Sequence, residues 1–132
     1  MTIRNSNTYD NLLLLKDAGA AVASGAATVA AVARVLDLGP ADIGNVKAVI
    51  DTSALTLGGA TAETYSVAIQ GSETLAFTVP VQLGALAVIA AGRNEAHFNN
   101  VQGGVTYRYV RAFLTLAGTA PSINATIFIA KG

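Results

Sequence analysis

Short runs of alternating apolar and polar side chains, separated by glycine-containing turns, constrain the fold of this chain more than any other feature. Residues 63–70 carry apolar side chains at every second position from Tyr65 to Ile69. A period of two is typical of a β-strand with one buried face. Residues 75–83 alternate in the same way. Because Pro80 cannot donate a backbone hydrogen bond, this strand is predicted to lie at a sheet edge or to break near that residue.

Three further segments, residues 46–55, 105–117 and 122–130, are rich in Val, Ile and Thr and are also predicted strands. Residues 105–117 are apolar on both faces, with Tyr109 on one and Val110 on the other. We therefore expect both faces to be covered, either by the domain itself or by a partner. Strands that recur every ~8–12 residues between turn signals favour a sandwich or a barrel.

Residues 18–38 fit either a helix or two strands. Alanine is the best helix former, but Gly19 and Gly25 would each cost about 1 kcal/mol in a helix interior. Gly25 also suits a turn, so we predict two strands, over residues 20–24 and 28–38. The chain then holds eight or nine strands. That number predicts an all-β fold, a two-sheet antiparallel β-sandwich of jelly-roll type.

The length of 132 residues predicts one domain. Residues 1–11 are polar and aperiodic and are predicted to form an N-terminal arm, with the jelly-roll domain over residues 12–132. The uncharged run at residues 18–33 is shorter than the ~20 residues that a membrane-spanning helix needs. Asp17 precedes this run and argues against a signal peptide. We predict no membrane partner.

Charged residues are scarce and balanced, with eight Lys+Arg and eight Asp+Glu in the chain. Nucleic-acid binding needs a basic surface, so a net charge of zero argues against it. The chain has no cysteine, which excludes disulfide frameworks and thiolate catalysis. Its 26 alanines, together with many hydroxyl and amide side chains, give a surface that is easily desolvated. This composition favours a subunit of an assembly over a free monomer.

No arrangement of residues in the sequence points to catalysis. His97 is the single histidine, and no neighbour lies at a metal-ligand spacing. Asp37, Asp42 and Asp51 lie in different segments, and nothing in the sequence brings two of them together as in a paired-carboxylate hydrolase. We therefore predict a protein that is not an enzyme and holds no metal or cofactor.

Residues Tyr107, Arg108, Tyr109 and Arg111 interleave aromatic and basic side chains. Single-stranded nucleic acid can stack on such a strand, but a structural role is favoured because the chain carries no net charge. On a strand, Tyr107, Tyr109 and Arg111 share one face and Arg108 points to the other. A buried, unpaired guanidinium is costly, so we expect at least one arginine to find its partner across a subunit boundary.

Several stretches of the chain resemble the jelly-roll capsid cement (decoration) proteins of tailed double-stranded-DNA bacteriophages. They are residues 9–20 with 33–39, residues 65–72, and residues 106–111 with 117–126 and 129–132. The third group is the most specific, because Tyr107-Arg108-Tyr109 is followed by Pro121-Ser122 ahead of the last predicted strand. The chain departs from the family at residues 26–27 and 30–31, where alanines replace the expected hydroxyl and acidic residues.

The resemblance implies a non-enzymatic structural protein that binds the outer surface of an expanded phage head. There it would clamp neighbouring major capsid proteins against the pressure of packaged DNA, often as a homodimer. Its implied location is the virion, after synthesis in the cytoplasm of the bacterial host. The alternative is a jelly-roll carbohydrate- or receptor-binding module of a virion. That reading is weaker, because the chain has no tryptophan and few free acids to build a sugar site.

The predicted arm carries side chains that could anchor in a groove of a partner. The predicted subunit or capsid contacts are Ile3, Arg4, Tyr9, Tyr107, Arg108, Tyr109 and Arg111. We predict that deleting residues 1–8 leaves the thermal unfolding midpoint nearly unchanged but weakens retention on capsids, because the arm lies outside the core. Calorimetry and co-sedimentation with expanded capsids measure the two effects. A large fall in the midpoint would show that the arm belongs to the fold.

Overall fold

The computed structural model describes residues 13–42, 44–56 and 63–131 of the chain. Every regular element within these ranges is a β-strand, and no α-helix is present among them, which confirms the predicted all-β class. Outside the described residues lies the predicted N-terminal arm with Ile3, Arg4 and Tyr9.

The described residues form fourteen strands, of which seven contain only two residues. They are β1 (Leu14–Lys16), β2 (Ala20–Ala21), β3 (Gly25–Ala26), β4 (Thr28–Val29), β5 (Val32–Ala33), β6 (Leu36–Asp37), β7 (Asn45–Leu55), β8 (Thr64–Ser72), β9 (Val81–Val88), β10 (Gly92–Asn99), β11 (Val101–Gln102), β12 (Val105–Thr106), β13 (Tyr109–Ala117) and β14 (Ile123–Lys131).

Two antiparallel sheets contain all the long strands. The first sheet has the order β1-β14-β7-β10, with β2 also paired to β14, and the second has the order β3-β13-β8-β9, with β6 also paired to β13. Strands β1 and β2 pair with successive parts of β14, and β3 and β6 with successive parts of β13. Each of these two pairs therefore fills one strand position: β1 with β2 is position 1, and β3 with β6 is position 2. Strands β7 to β10 are then positions 3 to 6, β13 is position 7 and β14 is position 8. In these numbers the two sheets have the orders 1-8-3-6 and 2-7-4-5, which confirms the predicted jelly-roll sandwich.

Residues 18–38 form strands rather than a helix, but not the two continuous strands that were predicted. The chain turns at residues 22–24, next to the predicted turn at Gly25. The second predicted strand is interrupted by the hairpin β4–β5, which turns at Ala30 and Ala31. Alanine has too small a side chain to indicate which face of a strand is buried, so the residue pattern could not locate this hairpin.

The strand predicted over residues 75–83 is wrong in its first half. Residues 73–80 form a loop, and β9 begins directly after Pro80 as an edge strand of its sheet. The alternation fails at Phe77, which adopts a positive φ of 51° and has a buried side chain. The loop leaves two apolar side chains exposed, Leu75 and Val79.

The main apolar cluster lies between the two sheets and is built by alternate residues of the long strands, including Tyr65, Val67 and Ile69 as predicted. A second, smaller cluster lies on the outer face of the first sheet, with Phe128 at its centre. Val29 of β4 packs against it. The hairpin β4–β5 therefore covers apolar surface that the sandwich itself leaves outside.

The turn of this hairpin gives a test of the local backbone. Ala30 and Ala31 have φ angles of 52° and 64°, the left-handed conformation that a two-residue type I′ turn requires and that alanine disfavours. We predict that the double substitution Ala30→Asn and Ala31→Gly raises the free energy of unfolding by about 1–2 kcal/mol. Urea denaturation measures the change.

The control is Ala87→Gly, in β9, where φ is negative. That substitution is expected to lower the free energy of unfolding by about 0.5–1 kcal/mol, because glycine loses more conformational freedom on folding. Equal losses in both variants would contradict the left-handed turn.

Candidate functional site

Strand β13 carries two of the predicted contact residues, Tyr109 and Arg111. Its inner-face side chains Val110 and Leu114 are buried in the main cluster, while Tyr109, Arg111 and Phe113 alternate with them on the outer face of the second sheet and are half-buried. This alternation confirms the predicted two-sided pattern of the strand. Tyr107 and Arg108 precede the strand.

Arg111 holds the loop 73–80 against the second sheet. Its Nε donates a hydrogen bond to Oε1 of Gln70 at 2.8 Å, across the β13–β8 pair. Its guanidinium carbon lies 4.5 Å from the centre of the Phe77 ring and 5.8 Å from that of Phe113. Arginine stacks on aromatic rings in this way because the guanidinium is planar and weakly hydrated. The outer face of β13 is thus covered, around Arg111, by the chain itself.

Arg108 forms a bidentate ion pair with Asp37 of the neighbouring strand β6. Nε and Nη2 of Arg108 donate to the two carboxylate oxygens at 2.7 and 2.8 Å. The pair is solvent-exposed, and the guanidinium also lies over the Tyr109 ring at 5.4 Å. The hydrogen bonds from Arg108 and from the Gly39 N–H lower the pKa of Asp37 to about 2, so its carboxylate stays ionised at neutral pH.

Both arginines therefore have partners within the chain. Neither guanidinium is left unpaired, because Arg108 binds Asp37 and Arg111 binds Gln70, so neither requires a partner from another subunit. Asp37 is 71 residues away from Arg108 in sequence, so the pattern around Arg108 could not reveal this pairing. That Tyr107, Arg108, Tyr109 and Arg111 contact the capsid or a second subunit stays a prediction.

The polar residues considered for chemistry are separate in the structure. The His97 side chain is 65% exposed, and its Nε2 lies 3.9 Å from a carboxylate oxygen of Glu95. Asp51 pairs with Arg93 at 3.2 Å, and Asp42 accepts a hydrogen bond from the N–H of Gly44. Within residues 13–42, 44–56 and 63–131, no three His, Cys, Asp or Glu side chains lie close enough to hold a metal ion. The same residues contain no helix long and apolar enough to span a membrane.

A second candidate surface is formed by segments that are far apart in the sequence. The jelly-roll order brings four segments to one end of the sandwich: residues 22–24, 53–56, 89–91 and 118–122. We call this surface the uncharged end, because these segments contain no Asp, Glu, Lys or Arg. It exposes the large apolar side chains Val22, at 65%, and Ile89, at 79%. The rest of its exposed side chains are alanine, serine and threonine.

Two charged residues near the uncharged end are buried, and a third, Arg93, is exposed but paired with Asp51 at 3.2 Å. Glu63 is 7% exposed, and Lys16 is 5% exposed. The Lys16 ammonium donates to three carbonyl oxygens, those of Asp17, Gly19 and Ala125, at 2.8–3.0 Å. Burial lowers the pKa of Lys16, against the opposing attraction of Asp17.

The sequence contained one sign of the uncharged end, the run without charge at residues 18–33. The run alone does not indicate this surface, because the three other segments join it through strand pairing over long sequence separations. The opposite end of the sandwich carries Asp37, Asp42, Glu73 and Arg108 in or beside its loops.

Comparison with known proteins adds no relative. The chain matches no protein-family model, and no curated protein sequence is significantly similar to it.

Substitution of Arg111 tests whether this residue anchors the loop 73–80 on the outer face of β13. We predict that Arg111→Ala lowers the free energy of unfolding by about 1–2 kcal/mol, because it removes the Gln70 hydrogen bond and the stacking on Phe77. The loop 73–80 should also become sensitive to limited proteolysis. Arg111→Lys should not restore protection, because an ammonium lacks the planar stacking surface.

The control is Arg108→Ala, which removes an exposed ion pair screened by solvent and should leave the loop protected. If the Arg111→Ala loop resists the protease as well as the wild type does, Arg111 does not anchor it.

Proposed function

We propose that this protein is a capsid cement protein of a tailed bacteriophage. It would bind the outer surface of the expanded head and clamp neighbouring major capsid proteins against the internal pressure of DNA, without catalysing a reaction. The observation that carries the proposal is the character of the uncharged end: Val22 and Ile89 are 65% and 79% exposed there, on a chain of which only 12% is charged. Exposed apolar groups with so little charge favour a surface that is covered in use.

The jelly-roll sandwich agrees with the fold that the family resemblance implied. A fold hosts many functions and does not by itself identify one. The proposal gains support because the resemblance and the surface chemistry point to the same role. The partners in this proposal are the major capsid protein and a second copy of the chain, and the location is the outer surface of the virion.

The clamping mechanism follows from multivalency. A subunit, or a homodimer, that touches two neighbouring capsid proteins makes its second contact at a high effective concentration. Weak individual contacts then add up to tight retention. A subunit attached on both sides of a capsomer boundary shares the outward load across that boundary.

Co-sedimentation tests the proposal. The purified chain is mixed with empty, expanded capsids assembled from the major capsid protein of the same genome, with unexpanded proheads as the control. We predict saturable binding to expanded capsids that changes little with added salt, because an uncharged surface makes few ion pairs for salt to screen. Binding to sugars on a glycan array without binding to capsids would favour the carbohydrate-binding alternative and contradict the proposal.

A further inference from the structure

The two ends of the sandwich differ in charge, and this difference indicates which way the protein faces its partner. At the uncharged end, the exposed side chains of the segments 22–24, 53–56, 89–91 and 118–122 are aliphatic or hydroxyl-bearing. At the opposite end lie Asp37, Asp42, Glu73 and Arg108. We infer that the uncharged end docks on the capsid, and that its occupant is an uncharged, apolar patch of the major capsid protein. This inference rests on the proposed function.

Charge complementarity determines the chemistry of the occupant. A charged group placed against the uncharged end would lose its hydration without gaining a counter-charge, which is strongly unfavourable. The nearest acid, Glu63, is buried, and Arg93 is already paired with Asp51. An apolar, uncharged patch loses little hydration there, and Val22 and Ile89 supply apolar side chains that it can cover.

The uncharged end is also held in shape before it binds. The Tyr65 hydroxyl, on the second sheet, donates to the Thr56 carbonyl and accepts from the Ser122 N–H, both on the first sheet. In the loop that carries Val22, the Ser24 hydroxyl accepts a hydrogen bond from the Leu116 N–H at 2.8 Å. Alanine side chains lose no rotamer freedom when they are covered. Docking on this end therefore costs little conformational entropy.

The size of the end favours a partner in a repeating array over a second copy. With strands about 4.8 Å apart and sheets about 10 Å apart, the end of the sandwich covers on the order of 400 Å². A stable pairwise complex buries about 800 Å² on each partner. The end is too small to hold a second copy alone, but sufficient where many linked contacts act together, as on a capsid.

Thiol protection tests which end faces the capsid, and the absence of native cysteine makes single-cysteine variants specific probes. Ala90→Cys places a thiol on the uncharged end, and Thr78→Cys places a matched, exposed thiol on the loop 73–80 at the opposite end. With expanded capsids in excess, we expect maleimide labelling at position 90 to slow about tenfold, as for a site about 90% occupied, and labelling at position 78 to change less than about twofold.

Charge insertion gives the second measurement. Ile89→Lys and its control Val79→Lys replace side chains that are 79% and 75% exposed, so neither should shift the thermal midpoint. We expect Ile89→Lys to weaken capsid binding at least about tenfold, because the ammonium is desolvated against an apolar patch, and Val79→Lys to bind like the wild type.

The outcomes separate the two proposals. If the wild type binds capsids but protection appears at position 78, or Ile89→Lys binds normally, the docking inference is wrong and the cement function stands. If thiol 90 is protected without capsids as the protein concentration rises, the end binds a second copy, and the inference is also wrong. If the wild type does not bind capsids at all, the cement function fails, and the docking inference fails with it.

Discussion

The antiparallel pairing of β14 with β7 and of β13 with β8 is the constraint on which the rest of this structure depends. These central pairs carry the inner faces that form the main cluster, and each fixes a sheet edge to either side. Because the long strands are antiparallel, the connections between neighbouring strand positions of the two sheets begin and finish at one of two ends. The ends can then differ in composition without affecting the core. That freedom allows the segments at one end to be free of charge while the other end holds the Arg108–Asp37 ion pair.

The strand pattern predicted the central part of this architecture and not its periphery. Alternation located β8, and richness in Val, Ile and Thr located β7, β13 and β14. The period of two assigned Val110 and Tyr109 to opposite faces correctly, because a slip of one residue would exchange the faces. The errors fall where tertiary contacts override local pattern. Phe77 leaves the alternation to stack under Arg111, and the partner of Arg108 lies on a strand 71 residues away. The uncharged end depends on four separate segments, so no single stretch of sequence contains it.

Lys16 shows how a charge can lie close to an apolar surface without appearing on it. Its ammonium is enclosed by three backbone carbonyls, so the residue ties the end of β1 to β14. Desolvation by burial lowers the pKa of Lys16, and the attraction of the Asp17 carboxylate offsets part of this shift. The chain thus uses one of its few cations for internal structure, which leaves the adjoining surface neutral.

Two segments that leave the sandwich, the hairpin β4–β5 and the loop 73–80, explain three of the five large apolar side chains that are exposed among the described residues. The hairpin β4–β5 buries Val29 against the outer cluster of the first sheet and exposes Val32, and the loop 73–80 buries Phe77 and exposes Leu75 and Val79. Each of these segments contains residues at positive φ, a strain that the buried side chain offsets.

Val22 and Ile89 have no such explanation. Every residue of the loops 22–24 and 89–91 is exposed, so neither loop contributes a buried side chain to the fold. Both side chains lie at the same end of the sandwich, on segments without charge, and exposed apolar groups on such a surface favour covering by another molecule. The fold accounts for the other exposed apolar residues, and the proposed docking would account for these two.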